Sequence, residues 1–278
     1  MLIHAGFNIA FECTAETPML LMVNIRPERH ADVREPEKFT LYPHVPSRTY
    51  TDRFGNICTR LVAPVGRLSL WNRFKIVDSG LPERMPEGRI QHAVDDLPDD
   101  VLVFLLGSRY CETQKLTALA WSLFGNIEPG WPRVRAILHY VHHRIAFGYA
   151  YARADRTASE AHEERVGVCR DYAHLAITLC RCMNIPARYC TGYLGDIGVP
   201  VVDAPMDFSA WFEVYVSGRW WTFDARHNTP RIGRVVMARG RDAADVAITT
   251  TFGPSQLTQF RIFTDEVHTL PLAHARAA

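Results

Sequence analysis

The segment Gly167-Val168-Cys169-Arg170-Asp171-Tyr172-Ala173 decides how the rest of the chain is read. A glycine stands two residues before a cysteine. Leu175, Ala176, Leu179 and Met183 follow with helical spacing, which predicts a helix over 169–184. A thiol in the first turn of such a helix sees the positive end of the helix dipole. That favours thiolate, the nucleophilic form. The backbone N–H groups of the turn have no intrahelical partners, so they can hold a developing oxyanion. The plainer reading is a small side chain packing a helix start, and this segment alone leaves both open.

Downstream, strands are expected at 187–194, 210–216 and 219–223, with Ser217-Gly218 as the tight turn joining the last two. Upstream, Trp131–Ala146 carries Val134, Ile137, Leu138, Val141 and Ile145 at helical spacing. The first 80 residues have a different period. In Arg67–Ile76, Leu68, Leu70, Phe74 and Ile76 fall on one face of a half-buried strand. Arg53-Phe-Gly-Asn56 reads as a hairpin turn between Arg48–Asp52 and Ile57–Ala63. Further short runs lie at His4–Cys13, Met19–Arg26 and Lys38–Tyr42. Pro82, Pro86 and Pro98 with Asp95, Asp96, Asp99 and Asp100 mark a connector. The fold class is therefore α+β. A β-sandwich is expected over 1–90, then a core over 91–278 with helices packed on an antiparallel sheet.

Composition bounds the function. The 278 residues are 47% apolar and 22% charged, with a formal net charge of +1. That excludes a strongly basic surface gripping nucleic acid by bulk charge, and an acidic disordered chain. No run of about 18 apolar residues is present to span a membrane. Met1–Gly6 lacks the basic and apolar regions of a secretory signal, so none is expected. Seven dispersed cysteines, an odd number, fit reduced thiols in the cytoplasm better than a disulfide framework.

Taken in order, Gly167-Val-Cys169, Ile185-Pro-Ala-Arg188, Gly192-Tyr193, Ala210-Trp-Phe-Glu-Val214 and Trp220-Trp-Thr-Phe-Asp224 resemble the transglutaminase-like superfamily. The β-rich first half also looks like the N-terminal region of its bacterial members. The resemblance implies a papain-like Cys–His–Asp site that forms a thioester and needs no metal or organic cofactor. Its substrates would be a protein, a peptide or a small amide. Cys169 takes the nucleophile's position and Asp224 that of the residue orienting the base. The histidine position holds Ser209. A serine hydroxyl cannot act as a base near neutral pH or protonate a leaving amine, so the chain is expected to be inactive or weakly active. Three explanations stay open: a serine introduced on purpose, a natural non-catalytic binding or scaffold relative, or another histidine acting instead.

His227, in Asp224-Ala-Arg-His227, is the nearest substitute base; its bland role is a loop histidine bonded to local backbone. His174 lies five residues into the helix and turns away from the thiol, as a packing or surface residue. Trp211 shares a strand face with Ser209 and Glu213 and is the candidate substrate-contacting residue. Trp220 and Trp221 read as sheet core. Arg170 and Asp171 read as helix-start charges with surface pairing, and Arg188 and Tyr193 as scaffold. His139 and His143, with His142 beside them, have zinc-binding spacing. However, Tyr140 stands where a metalloprotease needs glutamate and no third ligand follows, so no metal is expected. Cys180, Cys182 and Cys190 lack a shared-metal spacing and read as core thiols.

Overall fold

The computed structural model describes residues 1–82 and 90–267; Pro86 of the connector lies outside them. In chain order, the first part supplies β1 (Leu2–Cys13), β2 (Thr17–Leu21), β3 (Val33–Glu35), β4 (Thr40–Tyr42), β5 (Ser47–Thr51), β6 (Ile57–Ala63) and β7 (Gly66–Val77). The helices follow: α1 (Asp99–Leu102), α2 (Thr113–Phe124), α3 (Trp131–Arg144), α4 (Ala158–Glu164) and α5 (Cys169–Cys182), with the short strands β8 (Ala146–Phe147) and β9 (Val166–Gly167) between them. Strands return as β10 (Ala187–Tyr193), β11 (Ser209–Val216), β12 (Arg219–Phe223), β13 (Val235–Gly240), β14 (Thr249–Thr251) and β15 (Ser255–Glu266). The fold is α+β. Among the described residues no helix is long and apolar enough to cross a membrane.

Alternation builds the sandwich. Leu68, Leu70, Phe74 and Ile76 of β7 are all buried, as their period predicts. Asn72 shares that buried face, and its Nδ2 donates to Glu37 Oε1 at 2.7 Å, while its Oδ1 has no partner among the described residues. One sheet runs β15-β1-β7-β3, with β4 on β7, and the other β14-β2-β6-β5. Two strands from the end of the chain, β14 and β15, thus complete sheets that otherwise come from the first 80 residues. On β15 only Ile262 and Thr264 are buried, so it carries little apolar period.

The third sheet, β12-β11-β10-β13, is antiparallel. Ala210, Phe212, Val214 and Val216 of β11 lie in one apolar cluster with α5, α2 and α3. Every residue of α5 from Asp171 to Cys182 is buried, because helices and sheet enclose it on all sides. The β11–β12 turn has positive φ at both Ser217 (51°) and Gly218 (77°), the primed geometry that matches strand twist. Tyr193 and Phe208 reach the sandwich core, where their rings meet Phe74 at 5.3 Å and Phe7 at 6.1 Å. The sandwich therefore packs on the sheet that carries the site.

Candidate active site

Cys169 is the first residue of α5, as the glycine-cysteine spacing predicts. Asp171 Oδ2 accepts the Val168 N–H at 2.8 Å and so caps the helix start. Gly167 makes room for this cap, since a Cβ there would lie 2.6 Å from Asp171 Oδ2. Asp171 also pairs with Arg156 Nη1 at 3.0 Å, and both side chains are buried. The expected surface pairing of Asp171 is corrected accordingly: its partner is an internal arginine. Arg170 donates instead to the Ala154 and Arg153 carbonyls.

The thiol is half-buried. Burial pushes it up to about 11; Arg226 and the Ala210 N–H act in the opposite direction, while Asp207 and Asp224 add to the rise. The helix start therefore does not by itself yield a standing thiolate, because desolvation outweighs the dipole.

Cys169, Ser209, Arg226 and His227 line one cavity of about 820 Å³. Its walls also carry Asp207 and Tyr149, and Thr264, Asp265 and Glu266 from β15. Ser209 opens β11 and is buried, its carbonyl accepting from Thr191 Oγ1 at 3.2 Å. Asp224 follows β12. Its Oδ2 accepts from His227 Nδ1 at 2.8 Å and from Arg234 Nη2 at 2.9 Å, and its Oδ1 accepts the His227 N–H at 3.1 Å. Burial alone would push this carboxyl up, but the His227 and Arg234 contacts outweigh it and hold the group well below the usual range. The structure thus brings Cys169, Ser209 and His227 to one cavity, with Asp224 behind His227.

Trp211 is placed elsewhere. It is buried against Cys190 and Val236 and does not line this cavity. Trp220 lies under Arg188 at 4.0 Å, and Trp221 Nε1 donates to the Val216 carbonyl at 3.1 Å. Arg226, Arg234 and Asp207 were absent from the sequence reading. Arg226 lies inside the Asp224–His227 turn and was legible by adjacency, whereas nothing local marks Arg234. His142 Nδ1 lies 3.2 and 3.0 Å from the Ala225 and Arg226 carbonyls, which ties the turn to α3. Among the described residues no group of three His, Cys, Asp or Glu side chains could hold a metal. Cys182 donates to the Thr113 carbonyl, and burial raises the Cys180 and Cys190 thiols.

His174 is fully buried between Tyr110 and Tyr189, and its Nε2 accepts the Ala243 N–H at 3.1 Å. Burial, with Arg170 and Arg181 nearby, holds it far below its usual 6.5. The unfolded chain therefore takes up this proton first, and stability falls as pH drops below about 6.5, by up to about 1.4 kcal/mol per unit. Urea midpoints between pH 8 and 5.5 should show this slope, and His174→Phe should flatten it.

Residues 117–225 match the transglutaminase-like superfamily. The chain is 30% identical to a candidate cysteine protease from Cytophaga hutchinsonii whose crystal structure superposes with a TM-score of 0.80; the alignment covers 99% of this chain and 94% of that one. An uncharacterised Mycobacterium leprae protein is 36% identical over 84 residues, 29% of this chain and 30% of that protein's length. The periplasmic domain of TgpA from Pseudomonas aeruginosa is 16% identical with a TM-score of 0.40, covering 81% of this chain and 88% of that one. With a full-length relative at 0.80 and the Cys169-to-Asp224 region inside the matched span, the chain belongs to the transglutaminase-like superfamily.

Proposed function

We propose that this chain carries out acyl transfer or amide hydrolysis through a thioester on Cys169. One observation supports it above the others: Cys169, at the head of α5, shares its cavity with an imidazole that is bonded to Asp224. The sulfur attacks the carbonyl carbon of a peptide or carboxamide, and the free N–H groups of the first helical turn hold the oxyanion. An amine leaves, and water or a second amine resolves the thioester. A cavity of about 820 Å³ is large enough for a side-chain amide or a short peptide segment.

The competing reading is a non-catalytic scaffold, favoured by Ser209 at the histidine position and by the raised thiol. Intact-mass and peptide mapping after incubation with glutamine peptides and activated small esters separates the two. A covalent acyl adduct on Cys169 that decays with time, and is missing in Cys169→Ala, supports acyl chemistry. No adduct with any donor, together with unchanged donors in solution, favours the scaffold.

A further inference from the structure

We propose that His227 is the general base and acid of this site, doing from the turn after β12 what Ser209 cannot do from the head of β11. The proposal rests on the thioester reading and deepens it. Asp224 keeps the orienting role but holds an imidazole from its own turn.

Geometry carries the argument. His227 is three residues after Asp224, and the turn between them is closed at three points: Asn228 N–H to the Asp224 carbonyl at 2.8 Å, His227 N–H to Oδ1 at 3.1 Å, and Nδ1 to Oδ2 at 2.8 Å. His142 on α3 pins the same turn through the Ala225 and Arg226 carbonyls. Nδ1 is the donor to Asp224, so in the neutral ring Nε2 is unprotonated and free to accept a proton. The ring forms part of the wall around Cys169, with its side chain only 22% exposed. Arg234 keeps Asp224 ionised, which stabilises imidazolium once it forms. A loop histidine satisfied only by local backbone would need neither a buried carboxylate nor a clamp from α3.

The steps balance. Nε2 takes the Cys169 proton as sulfur bonds to the carbonyl carbon and the C=O electron pair moves to oxygen. On collapse the C–N bond breaks and Nε2–H protonates the departing nitrogen. Water or an amine then attacks the thioester carbon and gives its proton to Nε2. The C–S bond breaks, and that proton returns to sulfur. The other charged side chains on the cavity wall are Asp196, Asp207, Arg226, Arg231, Asp265 and Glu266. Asp207 is the rival base among them, since burial raises its carboxyl.

The test uses the full chain as parent, His227→Asn, His227→Gly, Asp207→Asn, and His139→Gln as an exposed histidine outside the cavity. Asparagine can keep a donor toward Asp224 and lacks Nε2, and thermal melts check that each variant folds. The first readout is the pH profile of Cys169 alkylation by iodoacetamide, located by peptide mass spectrometry; the other six cysteines are buried. The parent and His139→Gln should share one alkylation profile. In His227→Asn alkylation at pH 7 should fall by about tenfold or more. The second readout is amide turnover, expected to fall about 100-fold or more in His227→Asn, the lower end of what general acid–base catalysis supplies. Added imidazole should rescue His227→Gly. Unchanged alkylation in His227→Asn overturns the proposal, as does a fall of about tenfold in Asp207→Asn that His227→Asn does not show. Absence of turnover in the parent would count against the thioester reading, while the alkylation profile still decides His227.

Discussion

Asp224→Asn is expected to reduce amide turnover by between about 10² and 10⁴, the range that correct acid–base catalysis contributes, with little change in KM. Asp224 now presents two lone-pair oxygens to three donors: His227 N, His227 Nδ1 and Arg234 Nη2. An amide replaces one oxygen with an NH₂ group. If that group takes the Oδ2 position, it faces both Nδ1 and Arg234: the imidazole reverses its tautomer, so Nε2 carries hydrogen and can no longer accept the thiol proton, and the guanidinium meets a donor in place of its counter-charge. If it takes the Oδ1 position, it meets the His227 backbone N–H, donor against donor, and the turn that holds the ring loses a contact. Either arrangement removes the buried negative charge that stabilises imidazolium. Steady-state kinetics on parent and variant, with far-UV circular dichroism to show an intact fold, would check this. Turnover within about threefold of the parent would remove Asp224 from the mechanism.

Glu213→Ala should be the most destabilising substitution of a charged side chain away from the thiol. Glu213 is 5% exposed and lies between Arg188, whose Nε donates at 2.7 Å, and Arg239, whose Nε and Nη2 donate at 2.9 and 3.0 Å. Arg239 continues to Glu28 of the first half, so the same network joins sandwich and core. Removing the carboxylate leaves two largely desolvated guanidinium groups facing each other, a loss of about 3–5 kcal/mol. For a chain of this size that corresponds to a fall in Tm on the order of 10 °C. Differential scanning calorimetry reads it directly, and a fall under about 2 °C would show that water and Glu28 compensate. Burial would raise the Glu213 carboxyl, but Arg188 and Arg239 outweigh it and hold the group below its usual 4.5. Its contribution is thus complete above pH 4.5 and fades as pH falls through the lowered folded value. The window lies below that of His174, so acid should weaken the protein in two stages.

Much of the architecture was legible in the chain because its signals are local. The period of two in 67–76, the period of 3.6 in 131–146 and 169–184, and the turn at Ser217-Gly218 each depend on near neighbours only. The nucleophile's place was legible for the same reason, since a glycine-cysteine pair before an apolar helix defines a helix start. β14 and β15 were not legible. Their pairing with β2 and β1 joins residues more than 200 positions apart, and β15 offers the core little more than Ile262 and Thr264.

The site divides along the same line. Sequence alone determined that Cys169 opens a helix, that Ser209 stands where its relatives' pattern has histidine, and that a histidine follows Asp224 closely. Only the tertiary structure decided that Asp171 caps the helix start and is paired inside the protein, that Trp211 lies outside the cavity lining, and that His142 clamps the turn. It also decided the ionisation balance, in which burial lifts the Cys169 thiol while Arg234 and His227 lower Asp224. The physical reason is common to all of these. Period and turn chemistry act over a few residues, whereas burial and Coulomb interactions depend on which distant groups the fold brings within a few ångströms, and a linear pattern does not encode those distances.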